Sequence, residues 1–74
     1  MSEANARKVM QIFRMYRVEA DTMLLAGSIM VTAPKVGLAY EDIEAAINEA
    51  IARGWLRHGE NQMLFLTQAG SQVT

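Results

Sequence analysis

Apolar residues recur along this chain with two different periods, and the change from one to the other divides it. In residues 4–17, Val9, Ile12, Phe13 and Tyr16 stand at i, i+3, i+4 and i+7. That spacing puts them on one stripe of an α-helix, with Arg7, Gln11 and Arg14 projecting from the opposite side. Met10 and Met15 flank the stripe, half in and half out. Residues 40–53 repeat the pattern more clearly: Ile43, Ala46, Ile47, Ala50 and Ile51 form a buried face. Glu41 and Asp42 sit in the first turn of that segment and Arg53 in the last, the order the helix dipole favours. Gly54 then stands where a left-handed residue ends a helix. Beyond it the period shortens. Trp55–His58 and Met63–Leu66 read as two strands joined by the turn Gly59–Gln62, a hairpin. Thr67 is placed to cap a final short turn or helix.

The segment between the two helices is less regular. From Met23 to Met30 the run is almost continuously apolar, so periodicity does not separate helix from strand. With Asp21 or Thr22 available as a cap, we read it as a helix. It ends at Ala33–Pro34, because a residue before proline is pushed out of helical geometry, and Gly37 marks a loop. The expected fold is mainly α with a β-hairpin (α+β): three helices followed by a two-stranded hairpin, in a single domain spanning residues 1–74.

Composition narrows what such a domain does. The 74 residues include no cysteine and one histidine, His58, so neither a disulfide nor a His-rich metal site is expected to staple the fold. With 51% hydrophobic residues the core must stabilise it, at a size where self-association would help. The most apolar run, Met23 to Val31, contains Gly27 and Ser28 and falls far short of the ~20 residues that span a bilayer. Met1-Ser2-Glu3 has no basic leader-like character, and with no cysteine the expected compartment is the cytoplasm. The six methionines read first as adaptable core filler, and Trp55 as cover for the base of the hairpin. No phosphate-cradling glycine loop, metal-ligand spacing or nucleophile with a base and orienter is present. The chain is therefore expected not to be an enzyme, and to have no cofactor and no small-molecule ligand.

Two local motifs add a resemblance. Ala50-Ile51-Ala52-Arg53-Gly54-Trp55-Leu56 resembles the end of the third helix and the first wing strand of winged helix-turn-helix regulators. Leu66-Thr67-Gln68-Ala69-Gly70 is similar to the Leu-Thr-x-x-Gly that follows the second wing strand in many bacterial members. The resemblance covers roughly the C-terminal half and implies a winged-helix-like fold. Such folds serve both DNA binding and protein contact.

Charge weighs between those two uses. In DNA-binding winged helices the third helix enters the major groove and the wing touches the backbone. The corresponding outward stripe here is Glu41, Ala45, Asn48 and Ala52, flanked by Glu44 and Glu49. Glu41, Asp42, Glu44 and Glu49 precede one base, Arg53, and such a face repels phosphate. The net charge is −1, with no basic excess. Basic residues gather instead on the first helix, at Arg7, Lys8, Arg14 and Arg17. A solvated face is the plain reading of that cluster; a patch for an acidic partner is the functional one. We therefore expect a small non-catalytic module acting through protein contacts, a regulator, adaptor or inhibitor of a larger assembly of the kind bacteria and phages encode. Candidate protein-interface residues are Glu41, Glu44, Asn48, Glu49, Arg7 and Arg14. The alternative is a DNA-binding transcriptional regulator, with Asn48, Arg53, Arg57, His58 and Lys35 as candidate nucleic-acid contacts. A homodimer stays open as well, although basic first helix against acidic third helix is a heterologous contact that closes no two-fold.

Overall fold

The structure, a computed structural model, describes residues 3–73. Its elements run α1 (Glu3–Met15), β1 (Met23–Leu25), α2 (Ala26–Thr32), a 3-10 turn (Ala33–Val36), a second 3-10 turn (Tyr40–Asp42), α3 (Ile43–Ala52), β2 (Leu56–His58), β3 (Met63–Leu66) and α4 (Gln68–Ser71). The three strands form one antiparallel sheet in the order β1-β3-β2. Val9, Ile12 and Phe13 of α1, Ile29 of α2, Leu38, and Ile43, Ala46 and Ala50 of α3 pack with Leu24, Leu56, Leu64 and Leu66 from the inner side of the sheet. The class is α+β, but the count of elements differs from the sequence-based expectation.

The difference lies in residues 23–32. The expected single helix is instead a three-residue strand running directly into a seven-residue helix. Leu66 N–H donates to the Thr22 carbonyl (2.9 Å), Asp21 N–H donates to Leu66 (2.7 Å) and Ala26 N–H donates to Gln62 (3.0 Å), so this segment zips onto the edge of β3. Pairing with a strand some forty residues away overrides local helical propensity. The result is three strands rather than two, with Leu24 facing the core and Met23 and Leu25 about half exposed on the other face. Thr22 does not cap a helix. Its hydroxyl accepts from Glu19 N–H (3.1 Å) and donates to the Glu19 carbonyl (2.6 Å), holding the turn before β1.

Two smaller expectations also change. Tyr16 is not part of the buried stripe: it lies past the end of α1, 44% exposed, with its hydroxyl 2.7 Å from that of buried Thr32. The helix ends early because Arg17 turns left-handed (φ 55). Met10 and Met15 are not both half-exposed: Met10 is buried and Met15 is open to solvent.

The helix ends share one device. At the end of α1, Val18 N–H reaches back to the Phe13 carbonyl (3.1 Å) and Arg17 N–H to Arg14 (2.9 Å). At the end of α3, Trp55 N–H reaches Ala50 (2.9 Å) and Gly54 N–H reaches Ile51 (2.9 Å), with Gly54 at φ 78, as expected for a left-handed cap. The 3-10 turn at Ala33–Val36 closes the same way onto Leu38. In each case orphan helix carbonyls are satisfied and the following apolar residue, Val18, Trp55 or Leu38, drops back onto the core. Thr67 caps α4 as expected, accepting from Gly70 N–H at 2.9 Å.

Candidate interface on the third helix and hairpin

The sequence-derived candidates do not all fall in one place. Glu41, Glu44, Asn48 and His58 converge on one groove of about 590 Å³ between α3, the start of α2 and the hairpin. The 3-10 turn at Tyr40–Asp42 swings the chain into α3, so Tyr40, Glu41, Ile43, Glu44, Ile47 and Asn48 line one wall. Ala26 and Met30 of α2 form a second side, and His58, Gly59, Gln62 and Leu64 the hairpin side. Sequence reasoning missed Tyr40, Met30 and Gln62. Helical spacing does place Tyr40 with Glu44 and Ile47, but nothing local puts α2 or the hairpin beside them.

The electrostatics of this groove are one-sided. Among the described residues that line it, none is lysine or arginine. Glu41, Asp42 and Glu44 make no ion pair within the described residues, and Glu41 and Glu44 are exposed. Tyr40 is 71% exposed beside them. At the hairpin tip, Asn61 (φ 55) and Gln62 (φ 62) occupy the two central positions of the turn that Met63 N–H closes onto the Glu60 carbonyl (3.0 Å). Two positive φ values are the mark of a type I′ turn, whose second position favours glycine. Here it carries a glutamine that lines the groove.

Arg53 and Glu49 stand apart and are spoken for. Arg53 Nε donates to Glu49 at 2.7 Å, and its Nη1 lies 3.5 Å from Glu3. Glu3 in turn accepts from Arg7 Nε at 2.7 Å. Both guanidinium groups lie over the Trp55 ring, at 5.3 Å for Arg7 and 5.5 Å for Arg53. Trp55, half-buried, therefore lies against one arginine from α1 and another from the end of α3. Hydrogen bonding and charge from Arg7, and charge from Arg53, hold the Glu3 carboxyl below the usual glutamate range.

The remaining candidates are dispersed. Arg57 lies on the outer face of the sheet with its guanidinium 4.5 Å from the Phe65 ring. Lys35 is exposed in the 3-10 turn that follows α2. Arg7 and Arg14 line a smaller hollow with Lys8 and Gln11, but Lys8 Nζ already donates to the Gly37 carbonyl (3.1 Å). Arg17, fourth member of the basic run, is outside the helix. Compared with models of known protein families, with curated proteins and with solved structures, the chain matches none. No helix of the described residues is long and apolar enough to cross a membrane.

Proposed function

We propose that this is a winged-helix-type binding module, without catalytic activity, that regulates or adapts a larger assembly through protein contacts. The order α1-β1-α2-α3-β2-β3 and the β1-β3-β2 sheet support the winged-helix reading, since the third helix and a hairpin then flank one groove, as they do in that fold. The observation that carries the function is the charge of this groove. A nucleic-acid reader draws its affinity from lysine and arginine set against phosphate, and here the same location presents Glu41 and Glu44. The base at the end of the third helix, Arg53, is engaged by Glu3, Glu49 and Trp55. A cytoplasmic regulator or inhibitor that meets the basic surface of a nucleic-acid-handling protein fits these features.

The DNA-binding alternative rests on the shape of the fold and on Asn48, Arg57, His58 and Lys35. The test is a titration with mixed-sequence duplex DNA at low salt, followed by anisotropy and amide chemical shifts. The proposal expects no binding even at tens of millimolar salt, where non-specific electrostatic affinity is strongest. Saturable binding mapped to Arg53, Arg57 and His58 would overturn it.

A further inference from the structure

We infer that the groove between α3 and the hairpin seats a short segment of a partner protein carrying a lysine or arginine next to a large apolar side chain. This rests on the protein-contact reading above and names the chemistry of the partner. The groove has an apolar lining on each of its sides, from Met30, Ile43, Ile47 and Leu64. At about 590 Å³ it lies within the size range of sites that hold ligands through apolar burial. Its rim supplies charge of one sign, Glu41 and Glu44, and an exposed aromatic face, Tyr40. Carboxylates and an aromatic ring together suit a cation, which gains both charge-assisted hydrogen bonds and attraction to the ring face. An acidic or phosphorylated segment would meet repulsion at the same rim. The complement is thus a side chain that packs on this apolar lining and a neighbouring cation that reaches the carboxylates, the arrangement of an amphipathic basic segment laid in a groove. Gln62 adds a second, independent indication. Its backbone is left-handed, where glycine is the default, yet the position carries a side chain and the residue lines the groove.

A library of random dodecapeptides displayed on phage, selected on the full chain and counter-selected on the Glu41→Lys/Glu44→Lys variant, tests this. Both substituted side chains are exposed, so the variant should keep its fold, which circular dichroism is to check first. Enriched peptides should pair lysine or arginine with leucine, isoleucine or an aromatic residue. Synthesised, they should shift the amides of Glu44, Ile47, Gly59 and Gln62. Their affinity should fall at least tenfold in the double variant, and severalfold in Tyr40→Ala. Failure to enrich any peptide, or enrichment of acidic or uncharged sequences, overturns the inference. Peptides that bind the Arg7–Arg14 hollow or the outer sheet face also overturn it, while leaving the protein-contact reading standing. Duplex DNA shifting these same amides sinks the reading itself. Light scattering that shows a dimer, together with concentration-dependent shifts of these same amides, overturns the inference in favour of self-association.

Discussion

Gly70 gives the sharpest test of how the fold is held. It lies in α4, where helix propensity alone predicts that alanine would stabilise by up to about 1 kcal/mol. The tertiary structure reverses that sign. A Cβ on Gly70 would run into the Trp55 carbonyl oxygen and come within 2.9 Å of both the Trp55 carbonyl carbon and Leu66 Cδ1. A leucine tip can move, but a backbone carbonyl at the start of β2 cannot rotate away. That carbonyl is also held by hydrogen bonds: Trp55 O accepts from Thr67 N–H (3.1 Å), and the Thr67 hydroxyl sits 3.0 Å from it and 2.6 Å from the Gly54 carbonyl. Making room means pulling α4 off the α3–β2 corner, which costs overpacking of about 1–3 kcal/mol and weakens hydrogen bonds worth about 1 kcal/mol each. Set against the propensity gain, Gly70→Ala should lose roughly 2 kcal/mol, which for a domain of this size lowers Tm by roughly 8–16 °C. Gly27→Ala is the matched control. It lies in the first turn of α2, with nothing within 4 Å of the added Cβ and no left-handed φ. It should gain about 0.5–1 kcal/mol, a rise of roughly 2–8 °C. Thermal melts by circular dichroism, with urea titrations beside them, read both. A Gly70→Ala protein as stable as the parent would refute the claim that α4 is packed against the Trp55 carbonyl.

Three further outcomes follow from single contacts. Tyr16→Phe removes the 2.7 Å hydrogen bond to Thr32, whose side chain is buried, and should cost about 1 kcal/mol in urea unfolding with an unchanged slope. Gln62→Gly creates the Asn-Gly pair that a type I′ turn prefers, and should raise stability by up to about 1 kcal/mol; a loss would show that the glutamine side chain supports the hairpin. Glu3 has a folded pKa below its ordinary value of 4.5, so its ion pairs contribute in full above that pH and fade as pH falls through the lowered value. Glu3→Gln should therefore flatten the acid limb of a stability–pH curve below about pH 4.5 and lower the plateau above it, and an unchanged acid limb would count against the Arg7 and Arg53 pairing.

The resemblance motifs take on physical meaning in these contacts. Leu66-Thr67-Gln68-Ala69-Gly70 is a corner: Leu66 enters the core, Thr67 caps α4 and ties it to the Gly54–Trp55 carbonyls, and Gly70 lets the helix approach. Gly54 and Trp55 form the opposite half of the same corner, so the two motifs meet in space. The groove is different. Its acidic α3 wall is written in local sequence, at helical spacing, and was legible there. Arg53 and Glu49 belong to that same stretch, yet the structure withdraws both into the cluster with Glu3, Arg7 and Trp55.

The amino-acid sequence alone determined the elements whose signal is local: the apolar stripes of α1 and α3, the Gly54 and Thr67 caps, the hairpin, and the acidic character of the third helix. Each follows from side-chain period or from a residue satisfying backbone groups within one turn of itself. Only the tertiary structure decided the rest. Three residues, Met23–Leu25, are too few for a two-residue period to declare itself, and they became a strand because β3 offered unpaired backbone groups at its edge. Met10 was buried, and Tyr16 turned out to Thr32, by where neighbouring elements came to lie. The groove itself exists because α2, α3 and the hairpin, far apart in the chain, are brought to one place by a core that none of them forms alone.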